Sequence, residues 1–181
     1  MPLGTESLLQ LIVFYFRHGG DERLAVHLKE LPLQDIPEES KVDLDLMRLI
    51  YYLRTNQREQ AKAVANELIH YHGDESYIPP YVKQVAEPTR PLSTPVTNQT
   101  LNFKRLDGTF LARLTLRQGG QIEGSKHPNE SYWKWTDHGL TLSDNHRRTT
   151  SVLLYDALQG VFCGPYCYGF AVHVMEPVKD A

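Results

Sequence analysis

Apolar residues recur every three or four positions through the first half of the chain, as they do on one face of an amphipathic helix. Leu24, Leu28 and Leu31 follow this spacing. The run Leu8–Phe16 is almost entirely apolar, but it lacks the basic flank and the cleavage site of a secretory signal, so we interpret it as a buried helix. These patterns predict an all-helical segment over residues 1–78, built from two helix–turn–helix units.

The spacing changes near residue 100, after which apolar and polar residues alternate in short runs. Turn signals such as Asp107-Gly108 separate these runs. In the run Ser131–Thr136, alternation places Trp133 and Trp135 on one face of a strand. About seven or eight such strands with tight turns predict an antiparallel β-barrel or sandwich over residues 101–181.

Prolines concentrate between the two halves, where five of the chain's 11 prolines fall between Ile78 and Thr100. Proline lacks the backbone N–H group and disfavours helix in the residue before it. We therefore predict a connector over residues 79–100, with a short helix at about Pro80–Ala86 followed by an extended stretch from about Glu87. The predicted fold class is segregated α+β: an N-terminal helical hairpin repeat or bundle followed by a β-module.

A shift of 37 residues aligns the first helical unit with the second. Each unit is predicted as helix, polar turn and helix, with the turns at about His18–Asp21 and Thr55–Gln57. Both a true repeat and a four-helix bundle of similar amphipathic helices account for this pattern. The aligned identities are Leu9 with Leu46, Tyr15 with Tyr52, Arg17 with Arg54, Glu22 with Glu59, Glu30 with Glu67 and Leu31 with Leu68.

Paired helices at a period in the thirties, with small residues on the second helix, resemble the tetratricopeptide repeat. Leu49, Tyr52, Ala61 and Ala65 carry the resemblance, which covers residues 7–73. It implies a scaffold whose concave surface engages a protein partner or a second copy of the chain.

Charge and composition narrow the function classes. The formal net charge is −3; residues 1–100 carry 10 Lys and Arg against 14 Asp and Glu, while the remainder carries +1. The basic residues are scattered, so we expect no large footprint for duplex DNA or an anionic membrane. Mean hydropathy is −0.42, and no apolar run approaches the ~20 residues of a membrane span. With only two cysteines, we expect a reducing, cytoplasmic location.

The most distinctive segment is His127–Trp133, with the sequence His-Pro-Asn-Glu-Ser-Tyr-Trp. A flat indole can stack on a sugar ring, and an amide and a carboxylate can bind its hydroxyl groups. The alternative is structural: a tryptophan in a small barrel is usually core, and Asn-Glu before a strand is common turn chemistry. The candidate ligand-binding residues are His127, Asn129, Glu130, Trp133, Trp135 and His173.

Residues 110–176, with their Asn-Glu-x-x-Trp core at Asn129, Glu130 and Trp133, resemble a small β-module that accompanies some bacterial polysaccharide-related transferases. The resemblance implies a bacterial origin and a role near saccharide chemistry. It does not imply transferase activity, since no segment resembles a nucleotide-sugar domain.

The same half of the chain also carries residues suited to other chemistries. Cys163, Cys167 and His173 could supply three metal ligands, but no fourth is evident, so we interpret the cysteines as buried structural thiols. We expect no metal and no cofactor. The overall prediction is a non-enzymatic binding or adaptor protein, with a carbohydrate-active enzyme using Glu130 as the alternative. Basic residues interleaved with aromatics leave single-stranded nucleic acid as a third class, which the charge of +1 disfavours.

Overall fold

The structure is a computed structural model that describes residues 4–72, 78–88 and 96–178. Within these residues, five α-helices and one 3-10 turn precede eight strands, which form one antiparallel, nearly closed barrel. The predicted segregated α+β fold class is confirmed. The helices are α1 Thr5–His18, α2 Asp21–Glu30, α3 Glu38–Arg54, α4 Arg58–His72 and α5 Tyr81–Ala86, with the 3-10 turn at Leu33–Asp35. The strands are β1 Thr100–Arg105, β2 Phe110–Leu116, β3 Ile122–Glu123, β4 Tyr132–Trp135, β5 Leu140–Ser143, β6 Thr149–Asp156, β7 Val161–Pro165 and β8 Val172–Pro177.

The helices pair as two hairpins, α1 with α2 and α3 with α4. The first hairpin turns at Gly19, whose φ of 76° lies in the left-handed region and whose N–H donates to the carbonyl of Tyr15 at 3.0 Å. Glycine adopts this conformation without the Cβ clash that other residues meet, and this ends α1. Helices α2 and α4 begin at Asp21 and Arg58, which are 37 positions apart, as are the aligned sequence identities.

The barrel is one sheet with the strand order β3-β2-β1-β8-β7-β6-β5-β4. Its two edges meet where Gln121 bridges Tyr132 and where the N–H of Trp133 donates to the carbonyl of Gly120 at 2.8 Å. Gly120 has a φ of 84°, and a Cβ at this position would lie 2.8 Å from the backbone carbonyl oxygen of Trp133. The edges close because the backbone at residue 120 carries no side chain.

Strand alternation divides the apolar residues of β6 between two cores. Leu153 faces the barrel interior, where it joins a buried cluster with Leu142 and Phe162. Val152 and Leu154 face outward and belong to the same buried cluster as the helices. Both halves therefore share an apolar interface, with α3 and α5 packed on the outer face of β6.

Arg54 forms a polar link across this interface. Its guanidinium donates to the carbonyl of Phe16 at 2.9 Å and to that of Cys167 at 2.7 Å, and it pairs with the carboxylate of Asp21. Phe16 is at the C-terminal end of α1, where carbonyls have no helical partner. The buried guanidinium of Arg54 thus joins the end of α1, the start of α2 and the turn between β7 and β8.

The short helix predicted at about Pro80–Ala86 is present as α5, Tyr81–Ala86. Of the extended stretch predicted from Glu87, residues 89–95 lie outside the described residues. Val96, the first described residue after this gap, is buried in the barrel core. Across the described part of the chain, no helix combines the length and the apolar character that crossing a membrane requires.

Candidate functional site

A cavity of about 480 Å³ opens at the end of the barrel that carries the β1–β2 and β7–β8 turns. This volume lies in the range of ~300–1,000 Å³ that is usual for small-molecule sites, and barrel mouths are common places for them. Three strands line one wall: β1 with Phe103 and Arg105, β8 with His173, and β2 with Leu111 and Ala112.

Leu111 and Ala112 are adjacent on β2, and both line the cavity because the β1–β2 pairing contains a bulge. Phe103 pairs with Ala112 and Lys104 with Phe110, so Leu111 has no partner of its own. A bulge interrupts the alternation and redirects a side chain. Leu111 and Ala112 therefore both contribute apolar surface to the cavity.

His173 is held rigidly at this wall. Its Nδ1 lies 2.9 Å from the hydroxyl of Ser151, and its ring meets Phe103 edge-to-face at 4.7 Å. His173 is 6% exposed and Ser151 is fully buried. Burial, with repulsion from Arg105, lowers the pKa of His173 to about 4, so the ring is neutral at neutral pH.

The loop between β3 and β4 forms the opposite wall and supplies Ser125, Lys126, His127, Asn129 and Glu130. The Ser125 hydroxyl lies 2.9 Å from the carbonyl oxygen of His127 and 3.3 Å from Glu130 Oε2, and it donates to one of them at a time. Burial raises the pKa of Glu130, which is 9% exposed; nearby His127 and the hydroxyl of Ser125 oppose that rise. The carboxyl group is thus held in a partly desolvated position.

The same loop is fastened to the β5–β6 end of the barrel. The Thr150 hydroxyl donates to the carbonyl of Asn129 at 2.7 Å, and the N–H of Asn145 donates to the carbonyl of Pro128 at 3.2 Å. These bonds hold the backbone in place while leaving the side chain of Asn129 to face the cavity.

Tyr166, at the start of the β7–β8 turn, completes the cavity together with Ala171. Its ring lies 5.6 Å from that of His173, and burial together with the nearby Glu130 carboxyl raises its pKa. An aromatic face and several hydrogen-bonding groups therefore converge on one space. Such a set can bind a small polar molecule that has both apolar and hydroxyl-bearing faces.

Four of the six residues singled out in the sequence meet in this cavity: His127, Asn129, Glu130 and His173. The two tryptophans do not line it. Trp133 packs against the barrel core and donates its indole N–H to the carbonyl of Arg117 at 2.9 Å. Trp135 is 40% exposed, with its ring 5.9 Å from that of Phe162.

The sequence did not single out Arg105 or Tyr166 for a ligand site, and Lys126 was considered only among the basic residues that interleave with aromatics, for single-stranded nucleic acid. Arg105 carried a usable signal, since it lies two positions after Phe103 on a predicted strand and so projects from the same face. Its pairing with His173 on β8 was visible only in the structure. Tyr166 carried none, because its position depends on how the β7–β8 turn folds over the barrel mouth.

The two cysteines are buried and unbridged. Burial raises the pKa of Cys163 to about 11 and that of Cys167 to about 12. Both thiols are protonated at neutral pH, which is unsuited to a nucleophile or a metal ligand. In the part of the chain that the structure describes, no group of three His, Cys, Asp or Glu side chains is arranged to hold a metal ion.

A second cavity, of about 460 Å³, lies in the helical half between the two hairpins. Tyr51 and Tyr52 of α3 line it, together with Lys29 of α2 and the amides of Gln57 and Gln60. Arg48 also faces this groove, where it pairs with Asp45 at 2.7 Å. The groove combines aromatic surface with hydrogen-bonding groups, a composition typical of peptide-binding surfaces.

Two comparisons with known proteins were informative only in the negative. No protein-family model matches the chain, and no curated protein matches it significantly.

Proposed function

We propose that the chain is a non-enzymatic binding protein whose β-barrel takes a small saccharide-like ligand in the cavity at its mouth. The observation that carries the proposal is the convergence of His127, Asn129, Glu130 and His173 on one space of about 480 Å³. Tyr166 and His173 supply ring surfaces for the apolar face of a sugar, and Asn129 and Glu130 supply partners for its hydroxyl groups.

The competing class is a carbohydrate-active enzyme with Glu130 as acid or base. The raised pKa of Glu130 suits a general acid. Glycoside hydrolysis, however, commonly needs two carboxyl groups about 5–10 Å apart. Among the described residues lining the cavity, Glu130 supplies the single carboxyl group. This favours binding over hydrolysis.

The test is a calorimetric titration of the full chain with a panel of monosaccharides, disaccharides and nucleotide sugars, with products followed by NMR. Tryptophan fluorescence is a poor readout, because neither indole lines the cavity. We expect saturable binding without product, weakened about tenfold or more by Asn129→Ala, which removes a polar contact of the kind worth about 1–3 kcal/mol. Trp135→Phe is the matched control and should leave affinity unchanged.

Each alternative has its own signature in this experiment. Product formation that is lost in Glu130→Gln would show that the protein is an enzyme in which Glu130 acts as acid or base. Salt-sensitive retention on single-stranded oligonucleotides would favour the nucleic-acid class. Absence of saturable binding across the whole saccharide panel would remove the proposal for the barrel.

For the helical half we propose a separate role, which is to engage a protein partner or a second copy of the chain through the groove beside Tyr51 and Tyr52. The aromatic surface of this groove and the amide groups of Gln57 and Gln60 support the proposal. Sedimentation analysis over a wide range of protein concentration tests self-association. Tyr52→Ala should abolish any dimer, whereas Arg17→Ala, outside the groove, should not. A monomer at every concentration leaves a different protein as the occupant, to be sought by crosslinking in both variants.

A further inference from the structure

The charges that line the barrel cavity are unbalanced. Arg105 enters from β1 and Lys126 from the β3–β4 loop. Within the described residues neither cation forms an ion pair, whereas Lys104, the neighbour of Arg105, is paired with Glu176 at 2.9 Å. Asp107 is near enough to Arg105 to feel its charge, but its carboxylate accepts from the N–H of Thr109 at 2.8 Å.

The residues that line the cavity supply less negative charge than positive charge. Glu130 is the carboxyl group of the cavity, and it lies next to His127 and the Ser125 hydroxyl. Burial favours its neutral form. Two cations therefore face a space that holds one carboxyl group, so the lining carries more positive than negative charge and an anion would complement it.

The strand register places one of these cations at a defined position. Arg105 pairs with His173 across β1 and β8, and in an antiparallel pair directly opposite side chains project from the same face. Repulsion from Arg105 contributes to the lowered pKa of His173, so the guanidinium lies near this ring, which the hydrogen bond with Ser151 holds in place. A ligand stacked on that wall would present its substituents to Arg105.

We propose that the ligand of this cavity is an anionic saccharide, with a carboxylate or phosphate group bound by Arg105 and Lys126. This inference rests on the proposed saccharide-binding function and adds the ligand's charge to it. The sugar ring lies against Tyr166 and His173, and the anionic group lies between the two cations. Uronic acids and sugar phosphates share this chemistry.

The test compares glucose, glucuronate, glucose 1-phosphate and inorganic phosphate as ligands of the full chain, by calorimetry at low and high salt. Charged hydrogen bonds are worth about 1.5–3 kcal/mol, so we expect an anionic sugar to bind about tenfold or more tightly than glucose. Added salt should weaken that binding. Arg105→Gln and Lys126→Gln should each remove most of the preference for an anionic sugar over glucose. Lys134→Gln, an exposed cation outside the cavity, is the matched control.

The results separate the inference from the function on which it rests. Equal binding of glucose and both anionic sugars, unaffected by Arg105→Gln, would overturn the anion inference and retain saccharide binding. Binding of phosphate alone, sensitive to both variants, would support the anion subsite and overturn the saccharide function. Preference for glucuronate over glucose 1-phosphate, or the reverse, identifies the anionic group. Failure of all four probes would overturn both.

Discussion

Replacing Arg54 with methionine tests the link between the two halves. The side chain of Arg54 is 1% exposed, and its guanidinium serves two backbone carbonyls and one carboxylate. Hydrogen bonds from a charged group contribute about 1.5–3 kcal/mol each, so the two carbonyl bonds account for about 3–6 kcal/mol. Asp21 is 41% exposed and adds little, because water screens its attraction.

Two further effects lower that range. Arg54 Nε is buried without a partner among the described residues, which is a cost that the substitution removes. Methionine also keeps an apolar stem against Phe16 and Tyr168, whose rings the guanidinium now faces. We therefore expect Arg54→Met to lower the free energy of unfolding by about 3–5 kcal/mol, chiefly because two backbone carbonyls lose a charged hydrogen-bond donor.

Equilibrium urea unfolding, followed by circular dichroism, measures this loss directly. For a chain of this size the melting temperature should fall by about 6–20 °C. Arg17→Met is the matched control, since Arg17 occupies the aligned position in the first hairpin but is exposed; its effect should stay within about 0.5 kcal/mol. A loss below about 1 kcal/mol for Arg54→Met would refute the reasoning, because it would mean that both carbonyls find other partners at no cost.

Three further measurements test other parts of the fold. Gly124 and Gly108 both have a positive φ, but of the two only at Gly124 would a Cβ lie 2.1 Å from a backbone oxygen. We expect Gly124→Ala to lower the free energy of unfolding by about 1–3 kcal/mol more than Gly108→Ala does. Equal losses for the two variants would contradict this. The pKa of His173 is lowered to about 4 in the folded protein, so between pH 6.5 and 4 this histidine is protonated in the unfolded chain but not in the folded one. The free energy of unfolding should therefore fall by up to about 3 kcal/mol as pH drops from about 6.5 to 4. His173→Gln should flatten that slope, and an unchanged slope would assign it elsewhere. Cys163 and Cys167 should react with a thiol reagent only after unfolding; rapid reaction of the native protein would show that their burial is wrong.

Local patterns were enough to predict most elements of the fold. The Asp107-Gly108 turn and the alternation on either side of it place β1 and β2 without any tertiary information. The glycine pair at the end of α1 likewise predicts the first hairpin turn. These signals are local because each depends on the backbone conformation of a few adjacent residues.

The candidate site was predictable only in part. The segment containing His127, Asn129 and Glu130 stood out by its composition, and it does line the cavity. The tryptophans stood out equally, but strand pairing directs Trp133 toward the core and places Trp135 away from the cavity. Alternation gives the face on which a side chain lies, but it does not say which end of a barrel that face lines.

The sequence by itself determined where helix gives way to strand, because hydrophobic periodicity and turn residues act over short distances. Only the tertiary structure decided which polar groups meet. Arg54 reaches Cys167 across 113 positions of the chain, and Ser151 meets His173 across 22. Contacts of this kind arise from strand register and from the packing of helices on the outer face of β6, and neither is encoded by any single short segment.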